Sequence, residues 1–305
     1  MKDCVRIFEK ARELGCHTEK NAPLKAYTTF QVGGPCTGLI HINNAESCRL
    51  LKRVCREEEI PFLVLGKGSN LIVDDKGYDG VVFLMGNDFS GVEILEDALL
   101  ICDAGTTLAA ACLYAYEHSL TGLEFAWGIP GTVGGAVYMN AGAYGGEIRD
   151  VLATAEYLDE EGGICVLPNE ELDFSYRHSL FTDSGKIILR AAFRLKKGDP
   201  QAIKAQMDDL MRRRKDKQPL EYPSAGSTFK RPEGSYASLL IEQCGLKGFS
   251  VGGAQVSQKH SGFVINTGNA TFNDIMALIQ EVKKIVKEKT GYALECEPKV
   301  ISNRD

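Results

Sequence analysis

Residues 127–146 restrict the possible folds more than any other part of the chain. They read WGIPGTVGGAVYMNAGAYGG, and seven of these 20 residues are glycine. Because glycine has no Cβ, backbone or a flat ring can approach such a segment closely. The letters AVYMNA predict that a helix begins after the glycines, and a glycine-rich loop before a helix N-terminus is typical of anion sites. Close packing of backbone between subdomains is the structural alternative.

A second glycine-rich loop, GKGSN at residues 66–70, lies between the predicted strands IPFLVLG and LIVDD. Successive N–H groups in such a loop can form a concave phosphate site, although a tight hairpin-like turn is the simpler interpretation. The spacing fits neither the Rossmann fingerprint nor the P-loop. Two glycine loops, each beside a strand or helix end, favour a dinucleotide that carries a planar ring.

The remaining pattern predicts an α+β protein. Residues 45–59 and the stretch TTLAAACLYAYEHSL predict helices, the second capped by Thr106 or Thr107, and TFNDIMALIQEVKKIVKEKTG predicts a long amphipathic helix ending before Gly291. The segment ALECEPKVI predicts a final strand. A length of 305 residues predicts two or three subdomains.

Charge and composition exclude some classes of function. The net charge of −6 argues against a nucleic-acid-binding protein, yet residues 201–260 carry ten Lys/Arg and six Asp/Glu and are net positive. That region predicts an anionic ligand or a solvated helix face. Neither a signal peptide nor a transmembrane segment is predicted, so we expect a cytoplasmic protein without a membrane partner.

Cysteine and histidine spacing predicts neither disulfides nor a metal site. The ten cysteines are scattered without a CxxC pair and are expected to be buried, apolar and reduced. The five histidines show no ligand spacing with one another or with cysteine, so no metal is expected.

Three polar clusters could carry chemistry. The first cluster, FSYRHSLF, contains Arg177, whose guanidinium could bind a substrate carboxylate or form a structural ion pair. YPSAGSTFKRP contains Ser227, which lies outside a G-x-S-x-G elbow and could be a turn residue. LECEPKV places Glu295 and Glu297 on one strand face, where a solvated edge is the alternative.

Six segments together resemble one family, the UDP-N-acetylenolpyruvoylglucosamine reductases, also called UDP-N-acetylmuramate dehydrogenases. They are TTFQVGGP, LGKGSNLIV, GIPGTVGGAVYMNAGAYGGEI, SYRHSLF, SAGSTFKRP and LECEPKV, spread over about residues 27–300. The resemblance implies an FAD module of the vanillyl-alcohol-oxidase type, with subdomains at 1–85 and 86–197, and a C-terminal α+β substrate domain at 198–305. The chain is similar to the shorter second type, which lacks an extra tyrosine-bearing loop.

The resemblance also implies a reaction and its residues. NADPH would reduce noncovalently bound FAD, which would reduce the enolpyruvyl ether of a UDP-sugar to UDP-N-acetylmuramate for peptidoglycan, with no protein partner implied. Ser227 would donate the proton, and Arg177 and Glu297 would orient the substrate carboxylate. The implied FAD residues are Gly66, Lys67, Gly68, Ser69, Asn70, Leu71, Gly128, Ile129, Pro130, Gly131, Thr132, Val133, Gly134, Gly135, Asn140, Ala141 and Gly142. The implied substrate contacts are Tyr176, Lys215, Lys230, Lys247 and His260.

Two positions depart from the family pattern, and two rival functions remain. Arg231 stands where asparagine is frequent, and Gly262 stands where a larger residue is common. Another FAD-dependent oxidase on the same scaffold would need the same glycine loops without the set of Arg177, Ser227 and Glu297. A noncatalytic nucleotide-sugar sensor would keep only the basic region and would lack a flavin spectrum.

Overall fold

The computed structural model describes residues 4–303, which form two compact units. The first unit comprises residues up to 20, 38–67 and 80–213, and the second comprises residues 21–37, 68–79 and 214 onward. Each unit is thus built from segments distant in sequence. The predicted subdomain boundaries after residues 85 and 197 stay a prediction.

Helices and strands alternate irregularly along the described residues, as expected of an α+β protein. The helices are α1 Val5–Glu13, α2 Ala45–Glu57, α3 Leu108–Glu117, α4 Val133–Tyr138, α5 Pro200–Lys217, α6 Ala237–Gln243 and α7 Phe272–Thr290. The strands are β1 Thr18–Lys20, β2 Cys36–His41, β3 Phe62–Leu65, β4 Leu71–Val73, β5 Tyr78–Leu84, β6 Val92–Leu95, β7 Leu99–Asp103, β8 Leu120–Thr121, β9 Gly142–Ala143, β10 Gly146–Glu147, β11 Leu152–Leu158, β12 Ile164–Pro168, β13 Ile187–Arg194, β14 Lys196–Lys197, β15 Ser224–Ser227, β16 Ser250–Val251, β17 Ala254–Val256, β18 Phe263–Asn266 and β19 Lys299–Ile301.

Two main sheets organise the first unit. One has the order β1-β2-β5-β3, with β1 antiparallel to β2 and β3 parallel to β5. The other has the order β12-β11-β13-β7-β6, in which every neighbouring pair is antiparallel. A continuous apolar core fills this unit, with fully buried side chains such as Ile40, Phe83 and Phe193.

The second unit contains an antiparallel sheet of order β15-β18-β17-β16 and a parallel pair formed by β4 and β19. Its core includes Ile72, Ile241 and the buried stripe of α7. Sequence-distant segments therefore share one core.

Local capping signals in the sequence predict two helices well. Thr107 accepts a hydrogen bond from the Ala110 N–H at the start of α3. Thr271 and Asp274 form a capping box on α7, and Gly291 ends that helix with a φ of +79°. Both predicted helices are confirmed because their end signals lie within a few residues of the ends.

Three local predictions differ from the structure. Helix α4 begins at Val133, before AVYMNA, because Thr132 caps it, and it spans only six residues. The final strand is limited to β19, with a single bridge from Cys296 to Phe229 before it. The hairpin-like alternative for GKGSN is wrong, because β3 pairs with β5 and β4 pairs with β19.

The cysteines behave as small apolar residues. All ten are free thiols, and eight of them are buried. Burial raises the pKa of Cys48, Cys55 and Cys102 to about 12, so these thiols stay protonated near neutral pH. Within residues 4–303, no helix is long and apolar enough to cross a membrane.

Candidate active site

The N-terminus of α4 does not offer its first N–H groups to an anion. The Val133 N–H donates to the Thr106 carbonyl oxygen at 2.8 Å, and the Gly134 N–H donates to that of Ala104 at 2.9 Å. The Gly135 N–H is capped by Thr132 Oγ1 at 3.4 Å. The expectation of a phosphate site at this helix start is therefore wrong, because the protein already provides acceptors for these donors.

Several glycines of residues 127–146 are required by packing within the first unit. A Cβ at Gly134 would lie 2.9 Å from the Ala104 Cβ, and one at Gly146 would lie 2.7 Å from the Phe125 ring. Gly131 and Gly135 are different, because a Cβ there would meet no heavy atom closer than 3.7 Å and 3.5 Å, respectively. The surface beside Gly131 and exposed Gly135 thus has the open space that a planar ligand needs.

The start of the second glycine loop lies against α4. A Cβ at Gly66 would collide with the Thr132 hydroxyl and lie 3.2 Å from its Cγ2. Both residues belong to the first unit. The two glycine-rich segments, 66 residues apart in sequence, therefore meet at this point.

The rest of this loop, residues 68–71, belongs to the second unit. Gly68 has a φ of +59°, and its position against the Tyr27 carbonyl leaves no room for a side chain. Asn70 accepts a hydrogen bond from the Lys299 N–H at 2.9 Å, at the point where Leu71 begins to pair with β19.

Several donors of the loop are available to a ligand. The N–H groups of Gly66, Lys67, Gly68 and Ser69 donate to no acceptor among residues 4–303. Unused backbone N–H groups are the kind of donor that a pyrophosphate accepts. Residues 66–69 have unused N–H donors for FAD, whereas the first N–H groups of α4 already have acceptors within the protein.

Arg177 lies in a tight turn of the first unit. Ser175 and His178 exchange two backbone hydrogen bonds of 3.2 Å, and Arg177 between them has a φ of +56°, which is uncommon for a residue with a Cβ. Its Nη2 donates to the Gly142 carbonyl oxygen at 3.3 Å, and its guanidinium lies 5.0 Å from the centre of the Tyr176 ring. The half-buried cation is thus held beside the glycine-rich stretch, and Tyr176 is 48% exposed.

Asn140 supports this turn. It is completely buried, and its Nδ2 donates to the Ser175 carbonyl oxygen at 3.0 Å and to Glu147 Oε2 at 2.9 Å. Its Oδ1 accepts from the Arg149 N–H at 3.0 Å. Asn140 and the equally buried Val133 have no surface for a cofactor, which corrects their predicted place in the FAD site. Only the fold reveals this supporting role, because all three partners of Asn140 are set by tertiary packing.

Ser227 and Glu297 come together in the second unit. The Glu297 N–H donates to the carbonyl oxygen of Thr228 at 2.9 Å, and the antiparallel bridge between Phe229 and Cys296 continues this pairing. Ser227 is exposed at the end of β15, and Glu297 is half-buried, whereas Glu295 is exposed and pairs with Lys230. The two glutamates thus differ in environment, and the role of Glu297 stays a prediction.

The predicted cationic contacts of the second unit are mostly paired with acids. Lys230 Nζ lies 3.1 Å from Glu295 Oε2, and Lys247 Nζ lies 2.6 Å from Glu242 Oε1. The side chain of Lys215 is exposed. An anionic ligand would therefore compete with surface carboxylates for two of these lysines.

His260 is held in its neutral form by both burial and hydrogen bonding. The Gly262 N–H donates to His260 Nδ1 at 3.1 Å, which requires an unprotonated nitrogen. Burial lowers the pKa of His260 below its ordinary value of 6.5. His260 can thus donate from Nε2 but is a poor cation.

The structure also accounts for the two departures from the family pattern. A Cβ at Gly262 would lie 3.1 Å from Cε1 of His260 and 3.3 Å from the Ser238 Cβ, so a larger residue would displace the His260 ring. Arg231 places its guanidinium 4.5 Å from the centre of the Tyr236 ring, in cation–π geometry.

Comparisons with known proteins match family models to two parts of this chain. An FAD binding domain model matches residues 37–167, and the model of the C-terminal domain of UDP-N-acetylenolpyruvoylglucosamine reductase matches residues 218–301. Proteins named UDP-N-acetylenolpyruvoylglucosamine reductase are 50% identical in Caldanaerobacter subterraneus, over 93% of both chains, and 52% identical in Clostridium novyi, over 93% of this chain and 92% of that protein.

Solved structures of related proteins resemble this chain in fold. The UDP-N-acetylenolpyruvylglucosamine reductase of Thermus caldophilus has a TM-score of 0.81 and 37% identity, covering 94% of this chain and all of its own. An Acremonium strictum glucooligosaccharide oxidase shares the fold, with a TM-score of 0.51 and 12% identity over 97% of this chain and 60% of its own.

These matches confirm the predicted fold class, an FAD-binding module followed by a C-terminal α+β domain. They also favour the predicted reductase over another FAD-dependent oxidase. The protein belongs to the family of UDP-N-acetylenolpyruvoylglucosamine reductases and is a flavin-dependent oxidoreductase.

Proposed function

We propose that the protein uses NADPH and bound FAD to reduce UDP-N-acetylglucosamine enolpyruvate to UDP-N-acetylmuramate, a step in peptidoglycan precursor synthesis. The pairing of Thr228 with Glu297, which brings Ser227 and Glu297 onto neighbouring segments, is the observation that most supports this reaction. The names of relatives that are about half identical over nearly the whole chain support the substrate.

We assign the cofactor residues from their unused backbone N–H donors and from the open space beside two glycines. The N–H groups of Gly66, Lys67, Gly68 and Ser69 would hold the pyrophosphate, and the surface at Gly131 and Gly135 would face the flavin. Bound there, FAD would supply the hydride chemistry at flavin N5, with NADPH as the hydride source and the terminal carbon of the enolpyruvyl group as the acceptor. We expect noncovalent binding, since the loop at 66–70 has no histidine.

Side chains of the protein would then stabilise the negative charge that develops on the substrate and donate the proton that completes the reaction. Hydride addition places negative charge on the adjacent carbon and on the carboxylate, where the cation of Arg177 and a hydrogen bond involving Glu297 would stabilise it. Ser227 Oγ would donate its proton to that carbon, which completes the lactyl ether and leaves a serine alkoxide to be reprotonated from solvent.

The nucleotide-sugar part of the substrate would meet three lysines, a tyrosine and a histidine. Tyr176, Lys215, Lys230, Lys247 and His260 would contact the substrate, with His260 acting as a neutral donor. Lys230 and Lys247 would exchange their carboxylate partners for phosphate on binding. NADPH and the nucleotide sugar would use the same site in turn.

Anaerobic stopped-flow kinetics of the Ser227→Ala variant tests the proton donor. We expect normal flavin reduction by NADPH and a reoxidation by the enolpyruvyl substrate that is slower by at least about 100-fold, the range of general acid catalysis. Ser227→Cys, which retains a proton donor, should keep more activity than the alanine variant.

The exposed Ser250, on β16 of the same unit, provides the matched control as Ser250→Ala. Equal slowing of both half-reactions in Ser227→Ala would remove Ser227 from the proton-transfer step. Steady NADPH oxidation coupled to O₂ uptake without the enolpyruvyl sugar would instead identify an oxidase.

A further inference from the structure

A cluster of two histidines and one glutamate lies on the first unit, outside every residue assigned to the proposed reaction. His17, Glu19 and His41 each place one nitrogen or oxygen atom within 4.8 Å of those of the other two. The sequence predicts no histidine cluster, because His17 and His41 are 24 residues apart. Strand pairing brings the two residues together in the folded chain.

Backbone pairing brings the three positions together. Strand β1 pairs with β2 in the register Thr18 to Ile40 and Glu19 to Leu39, and the His41 N–H donates to the His17 carbonyl oxygen at 2.9 Å. His17 and Glu19 are two residues apart on an extended segment, so their side chains leave the same face. Glu19 and His41 therefore lie on paired strands, and His17 directly precedes β1.

The distances approach those of a coordination sphere. Glu19 Oε1 lies 3.1 Å from His41 Nε2. Two ligands bound tetrahedrally to Zn²⁺ at about 2.0–2.1 Å are about 3.3–3.4 Å apart. This pair is already close to the required separation, and the exposed ring of His17 lies edge-on to the His41 ring, with 4.8 Å between the ring centres.

A second carboxylate orients His41. Asp88 Oδ2 lies 3.4 Å from His41 Nδ1, on the ring nitrogen that does not face Glu19. Histidines that bind metals commonly donate their other ring N–H to a carboxylate, which fixes the ring and increases the basicity of the coordinating nitrogen. Asp88 has the position of such a partner.

We propose that His17, Glu19 and His41 bind one divalent transition-metal ion of the Zn²⁺ class, with Asp88 as the outer partner of His41. Two imidazole nitrogens and one carboxylate oxygen favour Zn²⁺ over Mg²⁺ or Ca²⁺, which prefer oxygen ligands. The ion would connect β1, β2 and the turn that carries Asp88, and so stabilise this end of the first unit without taking part in catalysis.

The neighbouring thiol is not part of this donor set. Cys16 is buried, and its Sγ lies 3.6 Å from the Asn43 Oδ1 that accepts its hydrogen bond. Cys16→Ser therefore separates binding at the proposed site from binding by an adjacent cysteine.

Isothermal titration of Zn²⁺ into the chelator-treated flavoprotein tests the proposal, with the melting temperature as a second readout. We expect one equivalent to bind and raise the melting temperature. Binding should be lost in His41→Ala and in His17→Ala, whose side chain is exposed and can be removed without a cavity. Asp88→Asn should weaken binding by about 10–100-fold.

Cys16→Ser and His118→Ala, which removes an exposed histidine elsewhere on the unit, should bind Zn²⁺ like the wild type. Absence of saturable binding in the wild type would overturn the proposal. Unchanged binding in the double variant His17→Ala/His41→Ala would also overturn it, by assigning the ion to other groups.

Discussion

The buried amide of Asn140 donates from Nδ2 to the carbonyl oxygen of Ser175, 3.0 Å away. This bond joins the glycine-rich stretch to the turn that carries Arg177, which itself donates to the Gly142 carbonyl oxygen. Two contacts thus hold the proposed carboxylate-binding cation against residues 140–142. Asn140 acts as a positioning residue, since its side chain is inaccessible to a ligand.

Asn140→Ala should impair the enolpyruvyl half-reaction more than flavin reduction by NADPH. The substitution leaves Ser175 and Arg149 without a buried partner, so we expect the free energy of unfolding to fall by about 1–3 kcal/mol. The measurement is a comparison of both half-reactions at saturating substrate. Asn169→Ala is the matched control, because Asn169 donates to the carbonyls of Arg149 and Leu152 but not to the Arg177 turn. Selective slowing in the control as well would contradict a positioning role for Asn140.

Gly66→Ala should destabilise the first unit through its contact with Thr132. The added methyl group would collide with the Thr132 hydroxyl, and such overpacking costs about 1–3 kcal/mol. Thr132→Ala alone should cost about 1 kcal/mol, because it removes the cap of α4. Thr132→Ala also removes the clash with the added methyl group. The double variant Gly66→Ala/Thr132→Ala should therefore lose less free energy of unfolding than the sum of the losses in the two single variants, as measured by urea unfolding. Strict additivity would show that the methyl group is accommodated elsewhere.

Gly135→Leu should weaken FAD binding while leaving the FAD-free protein stable. A Cβ at this exposed position makes only ordinary contacts, and replacing glycine within a helix is generally favourable. If the flavin lies against this surface, the side chain should raise the dissociation constant of FAD by at least about tenfold, as for other overpacked contacts. Ala109→Leu, at an exposed position of α3, is the control. Wild-type FAD affinity in Gly135→Leu would place the cofactor elsewhere.

His260 should make the protein less stable as the pH falls. Its pKa is lowered in the folded chain by burial, so below about pH 6.5 the unfolded chain binds a proton that the folded chain does not. The free energy of unfolding should therefore decrease on acidification through this range, and less steeply in His260→Asn. Urea unfolding at about pH 7.5 and about pH 5.5 measures the difference. The exposed His118→Asn is the control, and identical pH slopes in wild type and His260→Asn would refute the prediction.

The sequence alone predicts the features whose causes are local. The ends of α3 and α7 follow from Thr107, Thr271 and Gly291, which act within one turn of each helix end. The six quoted segments also predict the family, because motifs in order along a chain can be recognised without knowing their contacts. In contrast, α4 starts earlier than predicted, because the Thr132 side chain caps it ahead of AVYMNA.

Contacts between distant segments are decided by the tertiary structure. The sequence shows a surplus of glycine at residues 127–146, but only the fold separates Gly134 and Gly146, which packing requires, from Gly131 and Gly135, which leave space for a ligand. It likewise pairs Thr228 with Glu297 and brings His17 beside His41. Residue types and their order thus determined the class of chemistry and the helix ends. Strand pairing and core packing decided which donors stay available, because a hydrogen bond or a close contact depends on separation in space and not along the chain.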